Sequence, residues 1–549
     1  MPQDIFDKIM MLAKRRGFIY PSFEIYGGVA GFYDYGPLGT QLKNNLENLW
    51  RKYYLLQDNC IEINTPTITL YDVLKASGHV EEFTDLTIDC KKCKQSFKLE
   101  ELVEGGDPKK QAKEGKIKCP NCGEMLKNPY QVNLMFSTKI GIGNTRDGFL
   151  RPETAQGIFT NFHLLYRYSR EKLPFGVIQI GKGFRNEISP RQGILRQREF
   201  NMAEAEVFFD PKDKSHPNFE NVKDKSIFLF DNKKEIKITI EKAVKQELVN
   251  NQALAYYLYL TQEFLLNAGI DPKKFRFRKH NEEELAHYAK ECWDAEIFSE
   301  RFGWVECVGI ADRSAYDLKS HIESSGNDMY ALRKFDKPKT VKQKMIVPNM
   351  AKLGPIFKNK AGKIKDLLEK FKIKDEEEII LNVDGENIKI PTDCYKITES
   401  EDKLIGERFI PHVIEPSYGI DRILYMLLEH SYFECKENNE EYRILKLNPI
   451  IAPIKAGIFP LLGDKKLVDI SKKIDLDLRN INISTYYDES GTIGRRYARM
   501  DEIGTPFCIT VDYDTLDDKS VTIRDRDTTK QVRIEIIKVN EFLKKKLCY

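Results

Sequence analysis

Long apolar runs are missing from this chain of 549 residues. No stretch approaches the roughly 20 consecutive apolar residues of a membrane helix, so no spanning segment and no membrane partner are expected. Strong charge of one sign is missing as well. Lys+Arg 87 against Asp+Glu 84 leaves +3, so no global basic field demands nucleic acid, and any RNA contact has to come from local patches. The opening MPQDIFDKIMMLAKRRGF mixes acids with bases and lacks the apolar core and cleavage site of a secretory signal. The 11 cysteines are an odd number; without such a signal they point to a reducing compartment, and a cytoplasmic protein is expected. What is abundant is ordinary: 41% hydrophobic and 31% charged residues suit a globular protein of about two to four domains.

The most informative stretch is 183–206, GFRNEISPRQGILRQREFNMAEAE, read as strand, turn at 189–193, and strand. Side-chain alternation puts Arg196, Arg198, Phe200, Met202, Glu204 and Glu206 on one face of the second strand, and Arg185 with Glu187 on one face of the first. A solvated hairpin with cross-strand ion pairs is the plain explanation. Against it stand the segregation of guanidiniums from carboxylates and the single Phe between them. That order suits an elongated ligand, anionic at one end and cationic at the other. On a flat strand Arg196 and Glu204 would lie roughly 26 Å apart at about 3.3 Å per residue.

Elsewhere, Leu42, Leu46, Leu49, Trp50, Tyr53 and Leu56 recur at helical spacing, with a short strand at 60–64 ended by Pro66. Periodicity does not separate core from subunit interface here. Cys90, Cys93, Cys119 and Cys122 form two CxxC pairs spaced for one tetrahedral zinc, which would be structural because four thiolates leave no open position; a redox dithiol or incidental cysteines are the alternatives. LRPETAQGIF (150–159) places Glu153 and Gln156 side by side at the start of a helix, where a Glu is ordinarily a dipole partner. GVIQIGKG (176–183) mimics a phosphate-binding loop but reads as a strand, with Gly where Ser or Thr should stand. Glu306 sits in an apolar run and needs a cation or donor; Arg313 needs an anion. Arg422, in IEPSYGIDRILYMLL (414–428), falls in a helix's first turn, where a cation is misplaced unless an anion is near. From 450 onward strands and helices alternate, the pattern of a separate α/β domain. Its Arg495, Arg496, Arg499, Arg524 and Arg526 suit a solvated face or, beside Tyr497, RNA stacking.

These blocks resemble a known family. FRNE with Arg196 and Phe200 is similar to motif 2 of the class II aminoacyl-tRNA synthetases, GIDR (419–422) to motif 3, and the helix and strand ending at Pro66 to motif 1. LRPETAQGIF, FRNEISPR, MAEAE, CWDAE, GIADRSAYDL and EPSYGIDR, in that order, resemble the homodimeric glycyl-tRNA synthetases. The resemblance implies an α+β fold: an antiparallel-sheet catalytic core with insertions and a C-terminal α/β anticodon-binding domain. The expected divisions are core at 1–83, 131–210, 271–334 and 405–433, a zinc-ribbon-like insertion at 84–130, further insertions at 211–270 and 335–404, a linker at 434–447, and the anticodon-binding domain at 448–549.

It also implies a glycine–tRNA ligase, a homodimer that takes ATP with Mg, glycine and tRNA-Gly. Arg185 would hold the ATP α-phosphate, with Asn186 and Glu187 on the nucleotide, Glu187 at the adenine side. Phe200 would stack on adenine, Arg196 and Arg422 would hold the outer phosphates, and Glu306 would help hold magnesium. Glu153, Glu204 and Glu415 would surround the glycine ammonium, with Ser417 beside it and Arg313 toward the carboxylate. Other readings are a synthetase for serine or proline, a non-catalytic paralogue, and a zinc-ribbon nucleic-acid-binding protein. The three carboxylates argue against the first, the presence of Arg185, Arg196 and Arg422 against the second, and the blocks outside the cysteines against the third.

Overall fold

The apolar spacing from Leu42 onward forms a helix, Pro37–Arg51 (α1), begun by a proline that needs no N–H partner there and continued by a wider turn, Lys52–Gln57. It buries Leu42, Leu46, Leu49, Trp50 and Tyr53 and leaves Leu56 78% exposed, so all but the last are core. Trp50 packs at 4.5 Å on Tyr54 and 5.6 Å on Tyr418, and the Tyr54 and Tyr418 hydroxyls are 2.9 Å apart. Each such aliphatic side chain contributes about 1.5–3 kcal/mol by leaving water. The computed structural model describes residues 4–103, 107–190, 192–230, 234–281, 284–285, 289–371, 379–437 and 440–547. Parts of the sequence readings that fall on 104–106, 191, 231–233, 282–283, 286–288, 372–378 and 438–439 lie outside the described residues.

α1 backs a nine-stranded sheet. Its strands are Ile61–Glu62 (β1), Phe175–Phe184 (β2), Glu199–Phe209 (β3), Ser226–Phe230 (β4), Glu235–Thr239 (β5), Phe275–Lys279 (β6), Glu291–Ser299 (β7), Gly303–Ser314 (β8) and His412–Gly419 (β9). The order is β5-β4-β6-β7-β8-β9-β3-β2-β1. All neighbours are antiparallel except β1 with β2 and β4 with β6. The decoy loop GVIQIGKG is strand, part of β2. Behind the sheet lie Gln252–Ala268 (α2), nearly all of it buried, which ends on Gly269 in the left-handed conformation, and Ile420–Ser431 (α3).

Two divisions differ from the sequence reading. Residues 211–270 are not a separate insertion: they supply β4 and β5 to the main sheet, and the residues of α2 sit in the main core. α2 buries most of its surface and leaves only a narrow strip, including Glu263 and the exposed Asn267, toward water, so it packs into the core rather than standing apart. The stretch 434–447 is not an open linker, because Tyr432–Glu437 pairs with Glu440–Leu445 as a hairpin.

Residues Tyr330–Phe409 form a compact unit of their own, bracketing the expected 335–404. It has a long two-stranded antiparallel ribbon, Ala331–Pro348 with Tyr395–Phe409, and a small core including Ile346, Leu353, Ile364, Leu368 and Val383. The C-terminal region alternates as expected. Ala456–Pro460, Lys465–Asn480, Thr485–Tyr487, Ile493–Glu502 and Phe507–Val511 are strand, helix, strand, helix and strand, with the three strands parallel. A hairpin, Ser520–Asp525 with Gln531–Glu535, and a helix, Val539–Leu547, complete it.

Candidate active site

The face of β3 opens on a cavity of about 300 Å³. Arg185, Glu187, Arg196, Phe200, Glu306 and Arg422 line one part of it, and Glu153, Glu204, Glu415 and Ser417 another. The fold brings these ten together from four separate stretches of sequence.

At the carboxylate end, Glu204 is buried on β3 and takes the Thr154 N–H at 2.7 Å, the Thr154 hydroxyl, and the Ser417 hydroxyl at 2.8 Å. Register places it opposite Ser417 of β9. Burial, then the charge of Glu153, push its pKa above the ordinary carboxylate value. Glu153 lies just before the helix Ala155–Phe159; it accepts from Gln156 Nε2 at 2.9 Å and faces His79 Nε2 at 3.4 Å. Burial alone would raise it, but His79, Arg313 and Gln156 outweigh that and hold it well below the usual range. Glu415 is pushed up to about 8 by burial and by Glu204 and Glu153, against the pull of Arg313. Glu206 is raised well above its ordinary value by burial and then Glu415, and neither of its oxygens has a hydrogen-bond partner among the described residues.

Arg313 differs from expectation. Its guanidinium is 1% exposed, gives two hydrogen bonds of 2.8 Å to Asp317 and one of 2.7 Å to Glu415, and does not line the cavity. A buried guanidinium has to satisfy its donors inside the protein, so it holds Glu415 rather than reaching for an incoming carboxylate. Asp317, four residues on at the start of the helix Tyr316–Ser325, carries no sequence signal of its own, because an Asp four residues after an Arg reads as an everyday surface pair.

At the arginine end, Arg185 lies between two rings, 5.2 Å from the centre of Phe83 and 5.4 Å from that of Phe200, and its buried Nε has no hydrogen-bond partner among the described residues. Gly183 makes room for this: a Cβ there would meet the Phe200 ring at 2.7 Å. Arg196 gives Nε to Glu187 at 2.7 Å and Nη1 to Glu101 at 2.5 Å. Arg422 gives Nη1 to the Glu306 carbonyl at 2.7 Å and Nε to that of Leu195 at 3.2 Å. The neighbouring Asp421, missed in the sequence, is buried and accepts from Gln197 at 2.9 Å, from the Asn201 backbone and side chain at 2.7 and 2.9 Å, and from Tyr35. It fixes α3 to β3.

Four further expectations are corrected. Glu306 is not sealed in an apolar strand: a register shift between Ala295 and Glu296 leaves Cys307 as the extra residue of β8, and Glu306 turns into the cavity with 54% of its side chain exposed. Asn186 is exposed and lies outside the cavity lining, its N–H bonded to Leu134 O at 2.7 Å. Arg198 gives its donors to Ala30 O and Glu187 O instead of sharing the cavity face. The flat-strand span of 26 Å fails because β3 begins only at Glu199; Arg196 sits in the preceding turn, folded back on Glu187.

Cys90, Cys93, Cys119 and Cys122 converge, with all four sulfurs within 4.8 Å of one another. Sγ of Cys90 is 3.4 Å from that of Cys122, and Cys93 is 3.6 Å from Cys119. A tetrahedral zinc with bonds of about 2.3 Å asks for sulfurs roughly 3.8 Å apart, so the four fit that ion. The Cys93 N–H helps bring the Cys90 thiol down to about 7. In the C-terminal region Arg495 is exposed, but three of the five arginines are buried in pairs within the domain, and Arg524 also lies 5.0 Å from the centre of the Tyr497 ring. Arg524 pairs with Asp501 at 2.9 and 3.0 Å, Arg526 with Gly504 O and Leu447 O at 2.7 and 2.8 Å, and Arg496 with Gly491 O, all three buried. Among the described residues no helix is long and apolar enough to cross a membrane.

Comparison with known proteins gives the following. Residues 136–310 match the tRNA synthetase class II core domain (G, H, P, S and T), and residues 450–546 match the anticodon binding domain. A glycine–tRNA ligase of Methanocaldococcus jannaschii is 48% identical, with 100% of both chains covered. One from Archaeoglobus fulgidus is 47% identical over 98% of this chain and 96% of its own, and one from Methanothrix thermoacetophila 46% over 97% and 95%.

Proposed function

The chain belongs to the glycine–tRNA ligases with a class II core, and from that premise we propose how its cavity activates glycine with ATP and passes it to the 3′ end of tRNA-Gly. The observation that carries the proposal is the opposed polarity of the cavity: three carboxylates, two of them buried, at one end, three arginines and a ring at the other. Glu153, Glu204 and Glu415 receive the ammonium of glycine, with the Ser417 hydroxyl keeping Glu204 in place. Arg313, through Asp317 and Glu415, is a positioning residue. A side chain on the amino acid's Cα would have to fit among these carboxylates, so clash excludes larger amino acids and no editing step is required.

ATP lies with adenine on Phe200 and its outer phosphates between Arg196 and Arg422; Glu187 flanks the base. A glycine carboxylate oxygen attacks the α-phosphorus, the bond to pyrophosphate breaks, and Arg185 stabilises the charge that develops there. No protein nucleophile is needed, so the rate comes from positioning and charge. The terminal adenosine hydroxyl of the tRNA then attacks the glycyl carbonyl and AMP leaves. The exposed carboxylate of Glu306 fits a hard, oxygen-seeking cation. Bound magnesium would neutralise phosphate charge at that end. The four thiolates would hold zinc as a structural ion. The protein is a homodimer working in the cytoplasm, with residues 448–549 reading the anticodon side of the tRNA.

Glycine-dependent exchange of pyrophosphate into ATP tests the reading. Exchange with glycine and not with serine or alanine is expected; better exchange with serine or alanine ends the specificity claim. Zinc near one equivalent, lost in Cys90→Ser, is the expected result of metal analysis, and unchanged zinc in that variant rejects the four-thiolate site.

A further inference from the structure

One wall of the cavity has no part in this reaction. Strand pairing continues one step beyond β6, where the His280 N–H donates to Cys292 O at 3.0 Å, just as Lys279 stands opposite Trp293 and Arg278 opposite Asp294. Cys292 and Asp294 are two apart on β7 and share a face. His280, Cys292 and Asp294 all line the cavity. One ligand atom from each, an imidazole nitrogen, a thiol sulfur and a carboxylate oxygen, lies within 4.8 Å of the other two. His280 Nε2 is 2.8 Å from Asp294 Oδ1, yet neither buried ring nitrogen makes a well-directed hydrogen bond among the described residues. The second oxygen of Asp294 takes Arg278 Nη2 at 3.0 Å, which orients the carboxylate.

A simple cross-strand ion pair accounts for His280 and Asp294 but not for the sulfur beside them. Nitrogen, sulfur and oxygen together are the donor set of zinc or cobalt(II); magnesium and calcium take oxygen alone. Three protein donors on the wall of an open cavity leave a fourth position for water or a ligand oxygen. We propose that His280, Cys292 and Asp294 form a second metal site, separate from the four-cysteine centre, that binds Zn²⁺ or Co²⁺ and inhibits adenylate formation when filled. The inhibition half rests on the reading of the cavity given above: a divalent ion here competes with the oxygen-only arrangement that Glu306 and the phosphates give magnesium. The binding half stands without it.

The test uses the full-length protein with zinc already in the four-cysteine centre, titrated with Co²⁺ without ATP. One further equivalent with a thiolate-to-cobalt absorption band is expected, and its loss in Cys292→Ser. His280→Gln, a second variant should Cys292→Ser fold poorly, is expected to weaken cobalt binding at least about tenfold. A wild-type cobalt spectrum in Cys292→Ser, or unchanged affinity in His280→Gln, overturns the site. Added Zn²⁺ at fixed magnesium should inhibit wild-type exchange at about tenfold lower concentration than in Cys292→Ser; equal sensitivity overturns the inhibition. Absence of glycine-dependent exchange in magnesium alone would instead count against the proposed function.

Discussion

At the carboxylate end of the cavity the charged groups are already engaged within the protein: Glu204 by Thr154 and Ser417, Glu153 by Gln156, Glu415 by an Arg313 that is itself clamped by Asp317. At the arginine end the hold is looser. Arg185 Nε has no hydrogen-bond partner among the described residues, Arg422 rests on backbone carbonyls and the half-exposed Glu306, and Arg196 is shared between Glu187 and a half-exposed Glu101. One end is preorganised for a small cation. The other holds its cations on partners that a polyanion can displace. Preorganisation suits a ligand with one charge and few atoms, because little binding energy is available for rearrangement; ATP brings enough charge to exchange partners on arrival.

The sharpest way to break this contrast is to remove the buried cation. Arg313→Met leaves Glu415 and Asp317 in the interior without their partner, and losing one side of a buried pair costs about 3–5 kcal/mol. Thermal or urea unfolding is expected to register that loss, with Arg196→Met unfolding close to wild type. Similar stability in the two variants would mean that the carboxylate end is not held together by Arg313. Next in size is Arg185→Ala. A preorganised donor at developing charge contributes about 2.7–4 kcal/mol, so pyrophosphate exchange should fall by about two to three decades while unfolding stays put. A drop that saturating ATP restores would assign Arg185 to ground-state binding instead.

The same contrast explains how much could be read in advance. The helix from Leu42 and the C-terminal alternation were legible because apolar periodicity survives in single sequences, whereas the antiparallel core followed from the family resemblance; the strands β4 and β5 within 211–270 were not legible, because their partners in the main sheet are near only in space. Most cavity residues were legible as charges in places that needed partners. Arg313 shows what sequence leaves open: a buried cation needs an anion, but only the fold shows that Glu415 and Asp317 supply it. Glu306 depended on a bulge that no residue type announces. The C-terminal arginines misled for a related reason: Arg524 and Arg526 face Asp501 and carbonyls that are near only in space.

A smaller effect separates the two ends by pH. Glu415, raised by burial to about 8, carries its proton below that pH in the empty site, and an ammonium binds best to the ionised form. kcat/KM for glycine reports the free enzyme, so it should fall by at most about tenfold per unit as pH drops below about 8. kcat/KM for ATP at saturating glycine should stay flat over the same interval, because Glu415 is then already ionised. A parallel fall in both would place the titrating group at the arginine end.

The smallest expected effect tests the other half of the contrast, that the arginine end surrenders its internal partners. Glu101 belongs to the cysteine-bearing insertion, and its carboxylate, 51% exposed, reaches Arg196 at 2.5 Å. An exposed pair of this kind is worth about 0.2–1 kcal/mol. If Glu101 only occupies Arg196 until phosphate arrives, Glu101→Gln removes a competitor and KM for ATP falls by at most about fivefold, with zinc content and unfolding unchanged. If Glu101 instead aims Arg196, KM rises by a similar factor, and the arginine end is preorganised too, through the ribbon. The sign of one small change therefore decides whether the insertion restrains the nucleotide end of the cavity or helps to build it.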